Sequence, residues 1–182
     1  MALEHAILVS LNERAGTGYQ LTRRFDRSIG HFWRATHQQI YRTLARMADQ
    51  GLVMFTEEPQ DGKPDRKVYS VTDGGRAFLS EWVTTAGKPA TLRDELAVKI
   101  RGARPEDLPA LADEIHRHRE AHAERVDLYR SMEKNDYPDP STLTGTALQQ
   151  QLVLRGGIVI EEALVGWLDE VHSALNRNPS QP

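Results

Sequence analysis

The chain contains no cysteine among its 182 residues. Disulfides, thiolate zinc sites and cysteine nucleophiles are therefore excluded, and the composition fits a reducing cytoplasm. Long apolar runs are missing as well, since nothing approaches the roughly 20 consecutive apolar residues that span a bilayer. Glu4 and His5 stand where a secretion signal carries positive charge, and no small-residue cleavage site follows, so a cytoplasmic protein is expected. An excess of positive charge is also lacking. The net charge is −3, which by itself argues against a nucleic-acid partner.

That total hides an asymmetry. Residues 1–88 carry a net +2 and residues 89–182 a net −5. Between residues 14 and 48 the bias sharpens: Arg14, Arg23, Arg24, Arg27, Arg34, Arg42 and Arg46 face a single acid, Asp26. A basic patch on an acidic protein is the electrostatic footprint of a DNA-binding surface, although a solvated helical face has the same composition.

Helical periodicity opens the chain, with Leu3, Ile7 and Leu11 on one stripe that ends near Arg14. Thr17 is placed to cap a second helix reaching about Ser28, which buries parts of Tyr19, Leu21 and Phe25. Gly16-x-Gly18 is not a dinucleotide fingerprint, because no strand precedes it. Ile29, Phe32 and Trp33 are expected to plug the core between helices. In the third helix Thr36 and Gln39 have capping-box spacing, and Gly51 is the C′ residue suited to a left-handed conformation. Ile40, Leu44 and Met47 turn inward with Tyr41 beside them, while Gln38, Gln39, Arg42 and Arg46 turn outward. Two extended stretches, 52–56 and 68–72, flank a loop with the turn signal Asp61-Gly62 and the basic residues Lys63, Arg66 and Lys67. Thr72 then opens a helix with Phe78, Leu79, Trp82 and Val83. The order helix, helix, helix, strand, basic loop, strand, helix is that of a winged helix-turn-helix with a two-stranded wing.

The segment 86–89 is the expected boundary, dividing a DNA-binding domain over 1–86 from a helical dimerisation domain over 87–182. The fold class is thus mostly α. A short helix over 91–103 carries Leu92, Leu96 and Ile100. A long one follows from Pro105 to about residue 135, where Leu108, Leu111, Ile115, His118, His122, Val126 and Tyr129 form a helix-pairing seam. The run 136–140 breaks it, and a last helix over 142–176 contains Leu148, Leu152, Val159, Ala163, Trp167, Val171 and Leu175.

Gly18-Tyr19-x-Leu21, Gln39-Ile40-Tyr41-Arg42-x-Leu44-x-Arg46-Met47, Gly51-Leu52-Val53 and Arg66-Lys67-Val68-Tyr69-Ser70-Val71-Thr72 together resemble the PadR family of transcriptional regulators. The motifs cover roughly residues 2–86, and the acidic helical remainder is similar to the longer-tailed branch of that family, whose C-terminal domain dimerises. The resemblance implies small-molecule effectors, including phenolic acids and drugs. His37-Gln38-Gln39 departs from the small residues that many relatives carry there, so no operator sequence is carried over.

Gln pairs bidentately with adenine and Arg with guanine in the major groove, and Gln38, Gln39, Arg42 and Arg46 present both types on one face. Tyr19, Arg34, Thr36, His37 and Tyr41 complete the expected DNA contact, with Lys63, Arg66 and Lys67 reaching phosphates or the minor groove from the wing. For Tyr19 a place in the core is the leading reading, and a phosphate contact through its hydroxyl is the lesser one. His116, His118 and His122 form the one tempting metal tract, but interleaved arginines repel cations and no cofactor or metal is expected. No Ser-His-Asp or paired-carboxylate pattern points to an enzyme. Trp82, Tyr129 and Trp167 either line a pocket for a flat, aromatic effector or belong to the core. Leu108, Leu111, Ile115, Leu152, Val159, Trp167 and Val171 are expected at the dimer interface. The leading expectation is a homodimeric, ligand-responsive repressor binding a near-palindromic DNA operator. A dimeric winged-helix adaptor that binds protein is the rival, and a metal enzyme on the histidine tract comes third.

Overall fold

The computed structural model describes residues 2–27, 35–60, 63–89 and 94–176. The chain divides into two compact units, residues 1–89 and 90–182. Ile29, Phe32, Trp33, Arg34, Asp61, Gly62 and Leu92, all assigned roles above, lie outside the described residues.

The first unit is built around α1 (Ala2–Glu13), α2 (Gly18–Arg27) and α3 (His37–Asp49), followed by β2 (Val53–Gln60), β3 (Lys63–Val71) and α4 (Asp73–Thr84). Ile7, Leu8 and Leu11 of α1, Leu21 and Phe25 of α2, and Ile40, Leu44 and Met47 of α3 meet in one core, closed below by Val53 and Val71. The starts of α2 and α4 follow local rules. Thr17 accepts from the Gln20 N–H at 3.1 Å and the Gln20 side chain accepts from the Thr17 N–H at 2.9 Å, a reciprocal cap for α2. At α4 the Thr72 hydroxyl accepts from the Gly75 N–H at 3.0 Å and donates to the Gly51 carbonyl at 2.6 Å, tying the new helix to the end of the previous one. Gly75 must be a glycine there, because a Cβ would fall 2.0 Å from the Leu52 carbonyl oxygen.

The sheet has three strands, not the two of a simple wing. Gly16–Thr17 forms β1, antiparallel to β3 with Gly16 opposite Tyr69 and Thr17 opposite Val68, in the order β1-β3-β2. Two residues carry no period-2 pattern, so nothing in the sequence marks them as a strand; the open edge of β3 supplies the pairing. Along the wing Glu57 stands opposite Lys67 and Glu58 opposite Arg66, with an irregularity between Glu58 and Gln60.

The second unit consists of α5 (Glu95–Gly102), α6 (Leu108–Asp136) and α7 (Gly145–Leu175). Asp94 caps α5, and 3₁₀ turns at Pro105–Asp107 and Pro140–Thr142 precede the two long helices. Side-chain bonds from Arg119 to Asp169, Arg130 to Glu162 and Gln151 to Glu133 show that α6 and α7 run antiparallel along each other. Leu111 and Ile115 were expected to face a second copy. Instead they are buried in the unit's own core with Leu96 and Leu168, and Trp167 and Val171 pack against that cluster. A 3.5-residue pattern marks a face that is covered, and here much of the cover comes from α7 of the same chain.

Candidate nucleic-acid interface

α3 is held at both ends by its own sequence. Thr36 accepts from the Gln39 N–H at 3.2 Å while the Gln39 side-chain oxygen accepts from the Thr36 N–H at 2.8 Å, so two otherwise unpartnered backbone donors are satisfied. At the other end Gly51, at φ 70°, lets the Leu52 N–H reach the Met47 carbonyl and the Gly51 N–H reach the Ala48 carbonyl. This is the Schellman arrangement, and it stops the helix sharply before β2.

Ile40, Thr43, Leu44 and Met47 are buried, which leaves Gln38, Arg42, Ala45 and Asp49 along the middle of the exposed face. Among the described residues the side chains of Gln38 and Arg42 have no hydrogen-bond or ion-pair partner. Their neighbours are committed elsewhere. The oxygen of the Gln39 side chain serves the cap, and so does the Thr36 hydroxyl. Arg46 forms an ion pair with Glu4 of α1 at 2.8 Å. Tyr41, half exposed rather than inward, lays its ring on Gly18, where an added Cβ would come within 2.3 Å of the ring. That contact is the physical reason for a glycine in the Gly18-Tyr19-x-Leu21 motif. Burial first, and the nearby Tyr41 second, raise the Tyr69 hydroxyl above its ordinary pKa, so it stays a neutral hydrogen-bonding group.

Tyr19 is 64% exposed on α2, so it is a surface residue and not the core residue that helical spacing suggested. His37 is exposed at the start of α3. In the wing Arg66 pairs with Glu58 at 2.5 Å, and Lys67 lies 3.7 Å from Glu57 and 4.1 Å from the centre of the Phe55 ring. Both wing pairs are exposed on both sides, and such pairs hold by only about 0–1 kcal/mol, so either base is readily released to another anion. Lys63 lies in β3, and its side chain is not among those described. Arg24, one of the arginines counted in the basic patch, donates to the carbonyls of Ser10 and Arg14 at the end of α1. Burial, and then Arg14, lower its pKa from the ordinary arginine value.

The histidine tract divides between two surroundings. His118 stands 3.9 Å from Glu114, whereas His122 contacts Glu161 of α7 at 2.5 Å beside Arg125. Among the described residues no group of three or more His, Asp or Glu side chains is arranged to hold a metal ion. No helix among them is long and apolar enough to cross a membrane. The three aromatic candidates for an effector pocket belong to different units. Trp82 lies in the first unit, stacked on His5 at 4.3 Å, while Tyr129 and Trp167 belong to the second. Tyr129 is 2% exposed, as a core residue is.

Set against known proteins, residues 7–81 match the profile of the Transcriptional regulator PadR-like family, and residues 92–176 match Virulence activator alpha C-term. A Mycobacterium tuberculosis protein named as a probable transcriptional regulator is 51% identical over 96% of this chain and 98% of its own length. The chain belongs to the PadR-like family of transcriptional regulators. The negative transcriptional regulator PadR of Bacillus subtilis is 29% identical over 97% of this chain and 98% of that one. Its structure in complex with operator DNA superposes with a TM-score of 0.82 at 25% identity, covering 97% of this chain and 100% of that one. The virulence activator AphA of Vibrio cholerae gives 0.79 at 34% identity, over 96% and 98% of the two chains. PadR of B. subtilis has also been solved with p-coumaric acid, with a TM-score of 0.76 at 25% identity over 97% of this chain and 100% of that one. This PadR-like chain is therefore a transcriptional regulator with a winged-helix fold, a non-enzymatic class.

The sequence reading missed Glu4. It sits 42 positions before Arg46, and no local pattern joins an acid in one helix to a base two helices on. Gly18 was noted only as part of a motif; its role needs the position of Tyr41.

Proposed function

We propose that this chain represses transcription as a homodimer, working in the cytoplasm on an operator of near two-fold symmetry and leaving it when a small aromatic molecule binds. The observation that carries the reading is the exposed middle of α3, where Gln38 and Arg42 are partnerless among the described residues on a helix fixed at both ends. Gln38 suits adenine and Arg42 guanine in the major groove. Tyr19, Arg34, His37, Lys63, Arg66 and Lys67 serve the phosphates around them, which fix register without reading sequence. Thr36, Gln39 and Tyr41 hold the reading helix in place.

Dimerisation follows from α7. Leu152 and Val159 are 58% and 50% exposed, and Val153 and Ile160 beside them are equally open. These residues recur at i and i+7, so they lie on one side of the helix and form an apolar stripe that a second copy would cover. A two-fold pair matches half-sites about 34 Å apart. Occupying a promoter is sufficient for repression, and an effector that alters the spacing of the two reading helices releases the DNA. The class of effector rests on the p-coumaric acid complex of the B. subtilis relative.

The C-terminal match to a virulence activator favours a second reading, activation, from the same dimer. Transcription in vitro separates them. With bacterial RNA polymerase and a promoter carrying a duplex selected by the protein, repression predicts a fall in transcript that p-coumaric acid reverses. A rise in transcript on adding the protein would favour activation.

A further inference from the structure

We propose that Glu4 limits sequence-independent DNA binding by keeping Arg46 off the phosphates, an inference that rests on the reading of α3 as the DNA-reading helix. The ion pair Arg46–Glu4 differs in kind from the two in the wing. The Glu4 side chain is 10% exposed, whereas Glu57 and Glu58 are 57% and 45% exposed. A solvated carboxylate gives up its partner and returns to water. A buried one has no such exit, and losing its cation leaves an uncompensated charge inside the protein. Glu4 is also fixed in the first turn of α1, where the helix dipole favours a negative side chain. It therefore outcompetes a phosphate for Arg46, although Arg46 itself is 55% exposed.

The consequence is electrostatic. Sequence-independent binding comes almost wholly from cations that neutralise phosphates and release counterions. α3 exposes Arg42, Arg46 and Asp49, so with Arg46 matched by Glu4 the remaining charges on its face balance. Such a face meets DNA mainly through hydrogen bonds from Gln38 and Arg42, which report base identity, and adds little affinity for DNA of any sequence. A regulator facing a genome of competing sites gains from that restraint.

The test uses the full chain and a random-sequence duplex, with binding followed by fluorescence anisotropy between 0.05 and 0.3 M salt. Glu4→Gln is expected to steepen the dependence of log K on log salt by roughly 0.9, and to tighten binding about eightfold at 0.1 M salt. The double variant Glu4→Gln, Arg46→Gln is expected to return to the wild-type slope, because the wild-type pair contributes no phosphate contact. It also answers the question if the single variant does not fold, since it removes both charges together. A Glu4→Gln slope equal to wild type would overturn the proposal. So would a double variant that loses a unit of slope, since Arg46 would then be contacting phosphate in the native protein. A wild-type protein with no salt-dependent binding would instead overturn the proposed DNA-binding function on which the inference rests.

Discussion

The two units distribute their apolar residues differently. In the winged helix, α1, α2 and α3 close around Ile7, Leu8, Leu21, Phe25, Ile40, Leu44 and Met47, while Tyr19 of α2, Met54 of β2 and Trp82 and Val83 of α4 stay outside. In the helical unit, Leu96, Leu111, Ile115 and Leu168 make a small core, while Leu128, Leu152, Val153, Val159 and Ile160 stay about half exposed along the paired helices. The first unit closes the larger core and leaves its exposed apolar residues on separate elements; the second lines up Leu152, Val153, Val159 and Ile160 along α7 alone. In the proposed function the first unit presents the DNA-reading surface and the second presents the stripe for a second copy.

The largest test of that contrast breaks the open half alone. Leu152→Glu with Val159→Glu places charges on the exposed stripe of α7 without touching α3. Light scattering should then give the mass of a monomer, and affinity for a selected operator duplex should fall roughly 10²–10⁴-fold, the avidity lost when two linked docking events become separate. A variant that stayed dimeric with full affinity would place the interface elsewhere. The complementary test strikes the closed half. Gly75→Ala forces a Cβ against the Leu52 carbonyl, and overpacking of this kind costs about 1–3 kcal/mol, read as a lower melting temperature with the dimer mass retained. An unchanged melting temperature would show that the α4 junction is looser than drawn.

How legible this was depended on the range of each interaction. The order of elements, the Thr36–Gln39 cap and the stop at Gly51 are local, set by residues three or four apart, and the structure matches them. β1 escaped notice because two residues hold no period, and its partner Tyr69 lies more than fifty positions away. Gln39 shows a different limit. Its side chain fits both a cap and a base contact, and only geometry shows the cap in use. Leu111 and Ile115 were correctly read as covered, but a seam pattern does not say whether the cover is α7 or another chain. Tyr19 has the spacing of a core residue, yet the core is filled by Leu21 and Phe25 and leaves it outside.

A smaller effect refines the reading surface itself. Lys67→Ala should weaken operator and random duplexes alike and lower the salt slope by about one unit, since the wing pair with Glu57 is exposed and readily exchanged. A loss confined to the operator would make Lys67 a reader of sequence.

The central claim is that the exposed middle of α3 reads base sequence. It is tested most directly by the ratio of affinities for a selected operator and a random duplex, measured at one salt concentration for the wild type and for Gln38→Ala with Arg42→Ala. Two lost base contacts, each worth about 1–3 kcal/mol of discrimination, should collapse that ratio by at least tenfold while the fold and dimer mass stay intact. A ratio unchanged in the double variant would contradict the account.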